Sequence, residues 1–311
     1  MPEPIVKETQ FLLNAEMGLG AWSWGDRIFW NYGHGYTDED IAAAFQTSLA
    51  GDVNLVDTAE VYGSGRSETL LGQFLKTTKT PVLVATKFMP FPWRLNRNAL
   101  KLSLDHSLER LGLDHVDLYQ IHWPFPPMPV EFWVEELAKA VMSGKTLTAG
   151  VSNFSKTQMQ RAYTVLSKYN IPLASNQVEY HLLNRTVEKN GLLARCKELG
   201  VRLIAWSPLA KGLLTGKYTP EIPPPGARGR TSGGILKEIK PLIALMTKIG
   251  TDHGEKTPGQ VALNWIICKG GLPIPGAKTA HQAGQNIGAQ GWRLTVDEIY
   301  SLDDASAKFT R

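Results

Sequence analysis

Eight short apolar runs recur along the 311-residue chain, and amphipathic stretches with apolar residues three and four apart lie between them. A chain built this way has few options: extended segments that alternate with helices pair in parallel, because each crossover helix returns the chain to the same edge of the sheet. The runs lie at 15–21 (AEMGLGA), 53–58 (VNLVDT), 82–87 (VLVATK), 116–122 (VDLYQIH), 146–152 (TLTAGVS), 173–179 (LASNQVE), 201–207 (VRLIAWS) and 271–277 (GLPIPGA). Helical patterns fill 38–52, 67–78, 98–113, 131–144, 156–169, 191–200 and 258–268. Thr37 before Asp38, Glu39 and Asp40, and Ser155 at the end of NFS, place a capping oxygen where a helix begins. Gly51, Gly112, Gly144 and Gly200 stand where helices stop.

The ends of the second to seventh runs are spaced by roughly 25 to 35 residues, one βα unit each, and the step to the eighth is about twice as long. The excess falls on KYTPEIPPPGARGRTSGG (217–234), read as a mobile loop because the βα rhythm resumes after it. The expected fold is α/β: a single-domain (β/α)8 TIM barrel over 1–311, with its chemistry on the loops at the C-terminal ends of the strands.

Composition narrows the function class. The 33 Lys+Arg against 29 Asp+Glu leave a net charge of +4 with no run of like charges, which argues against a nucleic-acid partner. No segment reaches the ~18 apolar residues of a membrane span. The two cysteines, Cys196 and Cys268, lie in helical patterns without metal-ligand spacing and read as reduced, buried thiols, so no metal site and a reducing compartment are expected. That compartment is the cytoplasm, or the plastid stroma if a transit peptide has been removed. The chain is expected to act as a monomer on a small molecule.

A barrel gathers its strand ends at one rim, so the polar residues that end the runs meet in one cleft: Asp57, Lys87, His122, Ser152 with Asn153, Gln177, and Trp206 with Ser207, plus Tyr62 five residues past Asp57. The segments carrying them, VDTAEVYGSGRSETLLG, ATKF, YQIHW, GVSNF, NQVEYH, AWSPLAKGLLTGKY and PIPGAKT, resemble the motifs of the aldo-keto reductase superfamily in the same order across residues 18–286. The resemblance implies an NADPH-dependent carbonyl reductase with Asp57, Tyr62, Lys87 and His122 as its catalytic tetrad. Carbonyl reduction needs a proton donor within reach of the developing alkoxide. Tyr62 is the expected donor; Lys87 is expected to lower its pKa from the ordinary value of about 10, Asp57 to hold Lys87, and His122 to orient the carbonyl oxygen.

The resemblance also assigns the cofactor, NADPH or NADP+. Ser152, Asn153 and Gln177 match the residues that bind the nicotinamide carboxamide, and Trp206 the aromatic that stacks on its ring. Gly20 and Ala21 at the end of the first run, Trp22 just after it, and Asp57 are expected among the cofactor-binding residues. Ser207, Pro208, Leu209, Gly212, Leu214 and Lys217 match the loop over the pyrophosphate, and Ala277, Lys278, Thr279, Gln282, Gln285 and Asn286 the segment that holds the adenosine 2′-phosphate. Gln282 and Gln285 stand where the family often has Arg and Glu, which leaves Lys278 as a point charge for the phosphate. Trp22, Trp24 and Trp123, with Tyr62 and His122, are the expected substrate wall, suited to a neutral aldehyde or ketone. Two alternatives are weighed: a regulatory nicotinamide-binding subunit resembling the potassium-channel β subunits, and a barrel lyase or aldolase using Lys87 as a Schiff base. The first is disfavoured by the lack of an obvious long N-terminal inactivation segment, the second by the nicotinamide-binding motifs.

Overall fold

The computed structural model describes residues 10–225 and 227–310. Its eight strands are β1 (Leu19–Gly20), β2 (Leu55–Asp57), β3 (Leu83–Phe88), β4 (Val116–Ile121), β5 (Thr146–Ser152), β6 (Leu173–Glu179), β7 (Arg202–Trp206) and β8 (Leu272–Pro273), each pairing in parallel with the next in chain order. The Gly18 N–H donates to the Pro273 carbonyl and the Gly20 N–H to the Pro275 carbonyl, both at 3.0 Å. These bonds carry β8 back to β1 and close the (β/α)8 barrel. β8 is shorter than the expected 271–277 because Pro273 and Pro275 have no N–H to give to a ladder.

The outer ring consists of α1 (Asp38–Ala50), α2 (Arg66–Leu75), α3 (Asn98–Leu111), α4 (Val130–Met142), α5 (Lys156–Ser167), the pair α6 (Thr186–Lys189) and α7 (Leu192–Leu199), α8 (Ala227–Glu238), α9 (Lys240–Asp252), α10 (Pro258–Cys268), α11 (Ala280–Ile287) and α12 (Val296–Ser306). The expected caps form reciprocal pairs: the Thr37 hydroxyl accepts from the Asp40 N–H while Asp40 accepts from the Thr37 N–H, and Ser155 and Gln158 do the same. α11 packs against α1, which brings the last unit beside the first.

Helices α6, α8, α9, α11 and α12 lie outside the helical stretches expected from the sequence, and three of them are instructive. The stretch 217–234 is not all loop: α8 starts at Ala227, and position 226 lies outside the described residues. α9 carries Pro241 in its first turn and buries Leu242, Met246 and Ile249, spaced by four and three, a helical signal hidden by the Pro/Gly-rich segment before it. α12 opens with a capping box between Thr295 and Glu298 that was legible as T-V-D-E.

Apolar residues form two clusters, a large one between strands and helices and a small one inside the barrel. The inner cluster contains Leu55, Ala85, Leu118, Ile204, Leu272 and Ile274, with Leu12 joining them from the helical turn at 10–14. It forms the floor on which the site rests. Both cysteines are free thiols; Cys196 is buried, and burial pushes its pKa up to about 12. Cys268, expected buried, is half-buried, with its thiol donating to Asn264 Oδ1 at 3.2 Å. Among the described residues no helix is long and apolar enough to cross a membrane.

Candidate active site

Strand side chains alternate, so the residue two positions beyond an inward-facing one faces inward too. Two residues after Leu55, Ala85, Leu118 and Ile204 come Asp57, Lys87, Gln120 and Trp206, a polar layer above the apolar floor. Lys87 Nζ, fully buried, donates to Asp57 Oδ1 at 2.5 Å, to the Thr58 carbonyl at 2.7 Å and to Tyr62 Oη at 3.3 Å. All three ammonium donors are thereby engaged and the cation is fixed in place. Burial opposes its charge, but Asp57 and Tyr62 outweigh that penalty and hold its pKa above the ordinary lysine value.

Tyr62 enters this group through the tight turn Tyr62–Gly65 after β2. Gly63 has φ 56°, and a Cβ there would stand 2.8 Å from the carbonyl carbon and oxygen of Gly25. Only glycine lets the turn press so closely against the loop after β1. Burial pushes the Tyr62 phenol above its ordinary value, opposed by Lys87. This corrects the sequence expectation of a lowered pKa: desolvation outweighs the ammonium, and the phenol keeps its proton at neutral pH.

His122 follows β4, with its ring 5.7 Å from that of Tyr62 and nearly perpendicular to it. Burial and then the Lys87 charge hold its pKa well below the ordinary histidine value, so the imidazole is neutral. Nδ1 is buried with no hydrogen-bond partner among the described residues. A neutral imidazole carries its one proton on either Nδ1 or Nε2 and donates from that nitrogen alone.

The remaining expected polar residues are joined to this group. Asp57 Oδ2 accepts from Gln177 Nε2 at 2.7 Å and from Gln120 Nε2 at 3.2 Å. Ser152 Oγ donates to the Gln177 carbonyl at 2.9 Å, Asn153 Nδ2 to the His122 carbonyl at 3.0 Å, and Trp206 Nε1 to Asn153 Oδ1 at 3.0 Å. Of the residues expected at the site, all but Ala21, Trp24, Lys87, Leu214, Ala277 and Thr279 line one cavity of about 1110 Å³. Lys87 lies beneath the cavity, behind Tyr62 and Asp57. Trp24 is not substrate wall: it is fully buried against Phe45 and Phe74 and donates through Nε1 to the Ala277 carbonyl at 3.1 Å. Ala21, Leu214 and Ala277 are buried in the core, and the Thr279 hydroxyl caps α11 by accepting from the Gln282 N–H.

The sequence reading missed Gln120, which the strand alternation could have placed beside Lys87, and also Met89 and Lys211, which line the cavity. Trp22 stacks on Phe29 at 5.1 Å and meets Trp30 edge-on at 5.4 Å, making one aromatic wall. Gly212, with φ 94°, lines the same cavity as the cationic residues Lys211, Lys217 and Lys278.

The Aldo/keto reductase family model matches residues 16–307. The chain belongs to the aldo-keto reductase family. It is 38% identical over 303 residues to the chloroplastic pyridoxal reductase of Arabidopsis thaliana, covering 93% of this chain and 82% of that protein. It is 32% identical over 311 residues to the L-glyceraldehyde 3-phosphate reductase of Escherichia coli strain K12, covering 92% of this chain and 87% of that protein. Among solved structures it resembles the glycerol dehydrogenase of Gluconobacter oxydans (TM-score 0.81, 27% identity, 94% and 92% of the two chains). It also resembles an aldo-keto reductase from Klebsiella pneumoniae in complex with NADPH (TM-score 0.73, 27% identity, 93% and 90% of the two chains).

Such an oxidoreductase needs a nicotinamide cofactor, and the residues present fit one. Gln177 lines the cavity, and its Oε1 accepts no hydrogen bond among the described residues, an open acceptor for a carboxamide N–H. The cationic Lys211, Lys217 and Lys278 on the same cavity suit the phosphates of such a cofactor.

Proposed function

We propose that this aldo-keto reductase uses NADPH to reduce small, uncharged, ring-bearing aldehydes to alcohols, with Tyr62 as the general acid. The observation that carries the reading is the buried chain Asp57–Lys87–Tyr62, whose phenol lines an aromatic cavity beside a neutral His122. When bound, the reduced nicotinamide supplies the hydride that goes to the carbonyl carbon. Tyr62 gives its proton to the oxygen as negative charge develops there, and Lys87 stabilises the phenolate left behind. His122 donates to the same oxygen and orients the carbonyl. The raised pKa of Tyr62 keeps the acid loaded, and Lys87 lessens the cost of unloading it.

The choice of substrate class is supported by Trp22, Trp123, Met89 and Val61, which line the same cavity as Tyr62, and by the relative named as a pyridoxal reductase, since pyridoxal is an aldehyde on an aromatic ring. The choice of NADPH is supported by Lys278 and by the neighbouring family member in complex with NADPH. We infer further that the chain works as a monomer on small molecules, in the cytoplasm or, like the chloroplastic relative, in a plastid; its two free thiols suit either reducing compartment.

The test is NADPH consumption across aromatic and aliphatic aldehydes, pyridoxal included, together with quinones and ketosteroids, using Tyr62→Phe as the control. Turnover of aromatic aldehydes that Tyr62→Phe abolishes is the expected result. A wild-type chain that binds NADPH but reduces none of them acts as a binding subunit and overturns the proposal.

A further inference from the structure

We propose that Gln120 is a positioning residue for the reduction, holding Asp57 in the orientation that keeps Lys87 against Tyr62. This inference rests on the reading of Tyr62 as the proton donor.

Gln120 is fully buried on β4, in register with Lys87 on β3 and Gly150 on β5. It lines neither the substrate wall nor any other part of the cavity, so its amide is held by the protein alone. Asp57 uses its two oxygens in opposite directions. Oδ1 receives Lys87, while Oδ2 receives Gln177 Nε2 at 2.7 Å and Gln120 Nε2 at 3.2 Å. Gln120 Oε1 in turn accepts from Gln177 Nε2 at 3.4 Å, which closes a triangle of two amides and one carboxylate.

Gln177 faces the cavity and is the residue expected to engage the cofactor. Gln120 has no such second duty: beside the bond from Gln177 Nε2 it gives Asp57 a donor that no ligand in the cavity contacts. Without it Oδ2 is held by Gln177 alone, and the oxygen that sets the distance of Lys87 from the phenol is less tightly fixed against rotation about Cβ–Cγ. The floor makes room for this arrangement: a Cβ at Gly150 would stand 2.9 Å from Gln120 Cγ and 2.5 Å from Ser175 Oγ. Any side chain at 150 would press against Gln120. The charged and titratable groups around the triangle are Asp57 on β2, Tyr62 on the turn after it, Lys87 on β3 and His122 after β4.

Gln120→Met keeps the length of the side chain and removes the amide. A lost hydrogen bond to a buried charge predicts a fall in kcat of about tenfold, with the KM for aldehyde and the Kd for NADPH each within about threefold. The second readout needs no turnover. With tyrosine labelled at Cζ, and the Tyr62 resonance identified by its loss in Tyr62→Phe, the titration of Tyr62 in the apo-protein is followed by NMR. Removing the amide dipole leaves more negative potential from Asp57 at the phenol, so its pKa rises by about half a unit in Gln120→Met. Gln120→Glu separates positioning from packing: burial and the neighbouring Asp57 charge keep its acid protonated and able to donate to Asp57, so its kcat stays closer to wild type than that of Gln120→Met.

A folded Gln120→Met with an unmoved or lowered Tyr62 titration overturns the assignment, as does a kcat within twofold of wild type. A wild-type chain that reduces no carbonyl defeats the proposed function instead, and the NMR titration still decides on Gln120.

Discussion

Lys278 Nζ donates to the Trp30 carbonyl at 3.1 Å, tying the loop after β8 to the loop after β1. The same ammonium stands 4.7 Å from the centre of the Trp30 ring and 4.4 Å from that of Tyr36. The lysine proposed to meet the 2′-phosphate thus also holds the segment that carries the aromatic wall. A phosphate at Lys278 has to join or displace these contacts.

Lys278→Ala therefore raises the Kd for NADPH by about tenfold to a hundredfold, the worth of one hydrogen bond between charged groups, and leaves that for NADH within about threefold. Fluorescence titration with both cofactors measures this. Equal losses would remove Lys278 from the 2′-phosphate site.

Tyr62→Phe removes the proton donor without emptying the wall. Single-turnover kinetics with excess NADPH are expected to slow by about a hundredfold or more, while NADPH binding stays within about twofold. An unchanged rate would assign the acid elsewhere.

The two perturbed groups set the pH behaviour. Tyr62 has its pKa raised, so the reduction rate holds at neutral pH and declines only as the pH climbs past the ordinary phenol value of about 10. His122 has its pKa depressed, so on acidification the unfolded chain takes up this proton before the folded one does. The stability it contributes is full above about pH 6.5, the unfolded value, and is lost as the pH falls towards the folded one. Denaturant melts of wild type and His122→Asn between pH 7.5 and 5 test this: the wild type should lose stability more steeply.

Trp24 and Trp22 should separate cleanly. Trp24→Ala leaves a core cavity against Phe45 and Phe74 and costs about 3 to 5 kcal/mol, read as a lower denaturation midpoint. Trp22→Ala, at the half-buried cavity wall, spares most of that stability and raises the KM for aromatic aldehydes by about tenfold. The reverse pattern would return Trp24 to the substrate wall.

Much of this protein is legible in its residues because barrels write their plan locally. Apolar runs and helical spacing give eight βα units, and Asp57, Lys87, His122, Ser152 and Gln177 show themselves as polar residues ending apolar strands. Errors arose where the local signal was shared by two fates. Trp24 stands only two residues from Trp22, yet its ring turns toward α1 and α2 while that of Trp22 turns toward Tyr62. The helix at Ala227–Glu238 begins within Pro/Gly-rich sequence, where propensity argues for loop and contacts with α9 decide otherwise.

The sequence by itself determined the number of strands, their parallel order and the chemical types gathered at the rim, since each depends on spacing along the chain. The tertiary structure alone decided which way the Tyr62 pKa moves, where Lys278 rests and that Gln120 shares Asp57 with Gln177. Those outcomes depend on how much water each group loses and on partners tens to hundreds of residues away, and local sequence carries neither.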